Sequence, residues 1–404
     1  MIGVMRRIDR RTTTFIGLAA AVLAVVAAGC SSQAVPRETN SPKAVTATVV
    51  SASETHSCAV ANGSAYCWGS NNVGQLGDGT TTNSANPVAV KGLPTPVTSI
   101  STAWGATCAV AKGAAYCWGS DATAQGQPRS GSAGYRGALV PLPPTTRPLP
   151  VKVDGLSAEV ADVQTSSTNA CAIAGGKAYC WGVNNVGQLG DGTTTTHPAP
   201  VQVTGLPGTV SSISPAGNAT CAVANGSAYC WGANYAGQLG NGRTTGTPTP
   251  VQVVGMADSV TQISAGQGVA CAVKSASAYC WGTHPAKTRN TVPGPSIPVR
   301  ITALGGGVTA VSTGWAGTCA IASAALKCWG RNDSGQLGNG ATADSADPVQ
   351  VQGLTHGATS LSAGTTAACA VADSSIFCWG SNDRGQLGNG TLTGSTTPVE
   401  VAIE

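Results

Sequence analysis

From residue 44 onward the apolar positions fall in short runs separated by turn dipeptides, and the runs repeat in a fixed order. One unit shows the order: Val210–Ile213, Cys221–Ala224, an Asn225-Gly226 turn, Ala228–Trp231, a glycine-rich stretch Gly237–Gly240, and Pro250–Val253. Each run is rich in strand-forming residues and bounded by turn signals, so four short strands per unit are predicted. Counted at the first cysteine, units begin at 58, 108, 171, 221, 271, 319 and 369, a period close to 50 residues with one 13-residue insertion between the second and third. Seven such units predict the blades of a propeller or the turns of a solenoid. Cys221–Ala224 and Ala228–Trp231 are small or apolar on both faces, as expected of strands sandwiched between neighbouring sheets. The tryptophan that ends the second of these runs recurs at 68, 118, 181, 231, 281, 329 and 379, so it is expected in the packing between units.

The cysteines fix the hairpin register. Fourteen of fifteen form pairs nine residues apart: Cys58 with Cys67, Cys108 with Cys117, Cys171 with Cys180, Cys221 with Cys230, Cys271 with Cys280, Cys319 with Cys328, and Cys369 with Cys378. Asn62-Gly63 and Asn225-Gly226 sit midway between two of these pairs, and Gly175-Gly176 is a third permissive dipeptide. Asn-Gly is the strongest short hairpin signal, because a type I′ turn needs positive φ at both central residues. With Asn62-Gly63 as the loop, Cys58 lies opposite Cys67 at a non-hydrogen-bonded pair, where Cα atoms come within about 4.5 Å. That is inside disulfide range. Buried free thiols are the alternative, but the even count favours seven intra-hairpin disulfides. No CxxC pair or Cys/His cluster points to zinc, and no metal or cofactor is expected.

The remaining cysteine closes a different signal. Arg6, Arg7, Arg10 and Arg11 precede the apolar stretch Phe15–Ala28, and small residues lead into Cys30. The segment resembles a bacterial lipoprotein signal, which implies cleavage before Cys30, lipidation of that cysteine and a tether from 30 to 43. Fourteen apolar residues are few for a membrane span. Residues 1 to 29 hold four arginines and one aspartate, so the remainder carries 17 basic and 16 acidic side chains. The basic footprint of a nucleic-acid binder is missing. The resulting expectation is a signal over 1–29, a tether over 30–43 and one domain over 44–404, held on the extracytoplasmic side of a membrane.

Units such as Trp329–Gly340 followed by Pro348–Val351 resemble regulator-of-chromosome-condensation repeats over about residues 44 to 404. The resemblance implies an all-β, seven-bladed propeller of four-stranded antiparallel blades. In repeat number and exported character the chain is also similar to the family's secreted β-lactamase-inhibitory propeller. The nuclear member's nucleotide exchange on a small GTPase does not transfer to an exported protein. Paired cysteines in every unit also depart from the nuclear pattern.

Function is expected where the repeat breaks. Call the strands of a unit A to D; the A–B and C–D loops then share one face, and the B–C and D–A loops share the other. Four residues before the first cysteine, the A–B loops read Glu54, Trp104, Ser167, Gly217, Gln267, Trp315 and Thr365. Trp104 and Trp315 are the two tryptophans outside the repeated set, and aromatic anchors are enriched in binding hot spots. The alternative is local packing over the central channel. The C–D stretch departs from Gly-Gln-Leu-Gly twice: at Asp121–Pro150, with Arg129, Tyr135, Arg136 and Arg147, and at Thr283–Pro298, with His284, Lys287 and Arg289. Both add cations to the face of the two tryptophans.

Catalysis finds little support. His56, His197, His284 and His356 occupy non-equivalent positions, and no GxSxG, HExxH, P-loop or dinucleotide fingerprint occurs. The leading expectation is a monomeric, envelope-anchored, non-catalytic propeller that binds an envelope or extracellular protein through Trp104, Trp315, Arg129, Tyr135, Arg136, Lys287 and Arg289. The alternatives are a hydrolase or lyase acting on peptidoglycan or glycan, and a carbohydrate-binding propeller.

Overall fold

A computed structural model describes residues 45–120, 146–283, 295–315 and 317–403. Seven four-stranded antiparallel sheets follow one another, and each is built from four consecutive strands. The first blade consists of β1 (Ala47–Ala52), β2 (His56–Ala61), β3 (Ser64–Gly69) and β4 (Ser84–Ala89). The last ends with its own β28 (Ser395–Val401). Among the described residues no strand is exchanged between the first blade and the last, a point the sequence left open.

The first strand of each blade lines the axis: β1, β5 (Val97–Ala103), β9 (Val160–Thr165), β13 (Val210–Pro215), β17 (Val260–Ala265), β21 (Val308–Thr313) and β25 (Ala358–Ala363). Serines on these strands join blade to blade. Ser51 Oγ accepts the Thr102 N–H at 2.9 Å, and Ser101, Ser214, Ser264 and Ser312 accept from Thr165, Ala265, Thr313 and Ala363. Ser362 closes the ring by accepting the Ala52 N–H at 2.9 Å. The remaining junction lacks the link for a chemical reason: proline has no N–H to donate, and Pro215 stands at that place. Gln164 replaces the serine there and turns its amide onto Asp162, 3.1 Å from each carboxylate oxygen. Burial raises the Asp162 carboxyl above its ordinary range, opposed by hydrogen bonds from Ser99 and Gln164.

A second set of links packs the blades. The repeated tryptophans are buried, and each indole whose partner loop is described donates to a glutamine carbonyl of the preceding blade. Trp118 reaches Gln75 at 2.9 Å, Trp231 reaches Gln188, Trp281 reaches Gln238, Trp379 reaches Gln336, and Trp68 reaches Gln386 across the ring closure. The glycine two residues after each glutamine makes room. A Cβ on Gly240 would lie 2.7 Å from the Trp281 Nε1, and one on Gly190 2.5 Å from that of Trp231. The second glycine of Gly-Gln-Leu-Gly thus serves the tryptophan as well as the turn.

All seven cysteine pairs lie directly opposite each other across the two middle strands of a blade. The partners are Cys58 and Cys67 in blade 1, Cys108 and Cys117 in blade 2, Cys171 and Cys180 in blade 3, and Cys221 and Cys230 in blade 4. Cys271 and Cys280, Cys319 and Cys328, and Cys369 and Cys378 follow in blades 5 to 7. Every pair is bridged, with Cα atoms 4.0 to 4.1 Å apart, slightly closer than the strand pairing alone predicts. Every hairpin turn takes positive φ at both central residues, including Ser275-Ala276, Ser323-Ala324 and Asp373-Ser374, where no glycine is present.

The outer strands are β4, β8 (Thr146–Lys152), β12 (His197–Gln202), β16 (Thr247–Gln252), β20 (Val299–Arg300), β24 (Ser345–Gln350) and β28. Most carry proline, which suits a sheet edge because it offers no N–H for further pairing. One expectation is corrected here. Thr146–Pro150, assigned to the divergent stretch 121–150, belongs to β8, where Gly119 pairs with Arg147. The prolines at 148 and 150 read as loop because an edge strand tolerates them.

Candidate loop-face interaction site

The A–B and C–D loops meet on one face, each A–B loop lying against the C–D loop of the blade before it. Gln188 and Thr168 both donate to the Gly217 carbonyl, and Gln386 donates to that of Glu54. A buried asparagine organises each regular C–D loop. Asn234 accepts the Leu239 N–H at 2.9 Å and donates to Asn241 and to the Arg243 carbonyl; Asn71, Asn184, Asn332 and Asn382 accept in the same way. These loops are therefore rigid scaffold, and exposed side chains on them are held in place.

Trp104 and Trp315 both project from this face, 54% and 58% exposed. Packing over the channel does not account for them. Trp104 has positive φ and is held by a tight turn in which the Gly105 N–H donates to the Ala103 carbonyl; the Trp104 carbonyl accepts from Thr55. The two belong to blades 2 and 6, with three blades between them one way round the ring and two the other. Arg129, Tyr135, Arg136, His284, Lys287 and Arg289 lie outside the described residues, as does Cys30. Arg147 sits on an outer strand.

Three residues were missed. Tyr235, 61% exposed, stands on blade 4 where other blades have Asn72, Asn185, Asp333 and Asp383. Those polar side chains accept from the neighbouring glutamine amide, as Asp383 does from Gln386 at 3.2 Å. Tyr235 lacks the short side-chain oxygen that accepts in those blades. Leu149 and Ile297 are exposed near the loop-side ends of their blades' outer edges, where other blades carry Asn86, Ala199, Thr249, Asp347 and Thr397. They occupy the two blades whose preceding stretch departs from the repeat. Comparing polar columns across units would have exposed all three.

No catalytic arrangement is assembled among the described residues. His56 is buried, with Nε2 2.8 Å from the Thr107 hydroxyl and Nδ1 3.1 Å from that of Ser53. Since Thr107 donates to the Gln75 carbonyl, it accepts from His56 Nε2–H. The neutral ring is a structural link, and burial holds its pKa down at about 3. Among the described residues no group of three His, Cys, Asp or Glu could hold a metal ion.

The Regulator of chromosome condensation (RCC1) repeat is matched at residues 62–110, 175–223, 225–273, 328–371 and 373–404, more than half of the chain. The chain belongs to the RCC1 repeat family. The fold agrees with solved RCC1-type propellers. Human WBSCR16 is 18% identical, with a TM-score of 0.70 over 84% of this chain and 94% of that one. Yeast RCC1 (Prp20), in a structure bound to Kap60, is 17% identical, with a TM-score of 0.69 over 89% of this chain and 85% of that one. At such identities the likeness extends to fold alone. No curated protein matches this RCC1 repeat chain in sequence.

Proposed function

We propose that this RCC1 repeat propeller is a non-catalytic protein-binding module, lipid-anchored in the cell envelope through Cys30, with its partner seated on the loop face. The observation that carries the reading is the placement of Trp104, Tyr235 and Trp315, each more than half exposed on one face, on alternate blades. At the equivalent positions most other blades carry small or polar residues. Large aromatics supply contact area at low entropic cost and dominate interface energetics. The stretches that depart from the repeat in blades 2 and 5 also bring Arg129, Arg136, Lys287 and Arg289 into the sequence. Yeast Prp20, which shares the fold, has been crystallised with a protein partner, Kap60.

The test is affinity capture from an envelope extract with the unlipidated mature domain. Wild type retains a partner that the double variant Trp104→Ala with Trp315→Ala loses; equal capture by both would sink the face assignment. Sugar stacking on the same tryptophans is the second reading. Peptidoglycan that co-sediments with wild type and not with the double variant would favour it.

A further inference from the structure

The chain enters the propeller on the face opposite the aromatics. Thr46 donates its N–H to the Asn62 side chain at 3.1 Å, and its carbonyl accepts the Asn62 N–H at 3.0 Å. Ala47 donates to the Ser374 carbonyl at 3.0 Å. Asn62 and Ser374 are turn residues of the B–C hairpins in blades 1 and 7, so Thr46 stands at the hairpin face. Fourteen residues separate Cys30 from Val45. A flexible chain of that length spans roughly 20 Å, about the length of one six-residue strand.

The lysines are placed to match. Of the six among the described residues, five lie at the hairpin end of their strands or in hairpin-face loops: Lys91, Lys112, Lys152, Lys177 and Lys274. Lys274 is paired with Asp258 at 3.1 Å. The other four are exposed on blades 1 to 3, where the hairpin-face loops carry Asp154 and Glu159; Asp373 and Glu400 lie on blade 7, on the other side of the point where the chain enters. Four long, flexible cations on one sector suit an anionic headgroup layer.

We infer that the hairpin face is a membrane-docking surface, with Lys91, Lys112, Lys152 and Lys177 resting on anionic phospholipid headgroups. Docking turns Trp104 and Trp315 away from the bilayer. This rests on the lipid-anchor reading and is independent of which partner the loop face takes.

The exposed tryptophans are natural reporters, since the seven repeated ones are buried. The full lipidated chain is reconstituted in vesicles of phosphatidylglycerol and phosphatidylethanolamine that carry a nitroxide on the headgroup. Fluorescence lost in the Trp104→Ala and Trp315→Ala double variant defines the reporter signal. Aqueous acrylamide is expected to quench that signal strongly, and the headgroup nitroxide several-fold less. In a variant combining Lys91→Glu, Lys112→Glu, Lys152→Glu and Lys177→Glu, checked for wild-type circular dichroism, nitroxide quenching rises at least about twofold. Strong nitroxide quenching in wild type, or no response to the charge reversal, overturns the docking surface while leaving the anchor intact. A chain that fails to float with vesicles overturns the anchor reading and this inference with it, whatever the soluble domain captures.

Discussion

The two faces of the propeller are built from the same seven repeats under different constraints. On the hairpin face every B–C connection is a two-residue turn with both φ values positive, and in every blade the bridge joins the fourth residue pair from that turn. On the loop face five C–D loops keep Asn and Gly-Gln-Leu-Gly, two depart, and three aromatics project. Cations separate as well: among the described residues the loop-face loops hold Arg243, Arg331 and Arg384 and no lysine, whereas five lysines lie toward the hairpin face. Arginine and aromatics are enriched in contact surfaces and lysine is depleted. Uniformity on one side fixes the shape, so variation on the other is free to select a partner.

That contrast breaks most visibly through the scaffold. Trp281→Ala removes a buried indole and its bond to the Gln238 carbonyl, and is expected to cost about 3–5 kcal/mol in chemical denaturation. Replacing both Cys221 and Cys230 by Ala opens a loop of about ten residues and is expected to cost roughly 2.7 kcal/mol in the same measurement. A cost near zero for either would mean that the repeated residues are not the scaffold. His56 gives a pH signature. Its folded pKa lies below its unfolded value of 6.5, so the stabilisation by the neutral ring is complete above pH 6.5 and is lost as pH falls toward about 3. The slope is about 1.4 kcal/mol per pH unit. His56→Gln should flatten that limb of the pH–stability curve. At the hairpin face, Ser275→Asn with Ala276→Gly relieves two non-glycine residues at positive φ and should stabilise by about 1 kcal/mol. The smallest stability change is expected at the loop face, where Trp104→Ala and Trp315→Ala should each stay within about 0.5 kcal/mol of wild type.

The sequence made the repeat, the blade count and the hairpin register legible, because cysteine spacing and turn dipeptides carry that information locally. It did not reveal the serine ring, since Ser51 or Ser312 is only a small polar residue until the next blade brings an N–H to it. Nor did it reveal the indole-to-carbonyl links, whose acceptors lie 43 residues earlier in the chain for Trp118 and Trp231. Ser275-Ala276 carries no turn signal; the flanking strands and the bridge between Cys271 and Cys280 impose its conformation. At the candidate site, Trp104 and Trp315 were legible as departures at one aligned position. Tyr235 was legible in the same way, as a departure from Asn72, Asn185, Asp333 and Asp383, although the role of those side chains as acceptors emerges only from the glutamine contacts.

On the proposed function the loop face binds a protein and the hairpin face does not. Affinity for the captured partner, measured with wild type, the Trp104→Ala and Trp315→Ala double variant, and a Lys112→Glu and Lys177→Glu double variant, tests it most directly. Hot-spot aromatics are worth about 2 kcal/mol each, roughly 30-fold in Kd, so the tryptophan pair should weaken binding by more than that while the lysine pair leaves it unchanged. Equal affinity for wild type and the tryptophan variant, or loss confined to the lysine variant, would contradict the account.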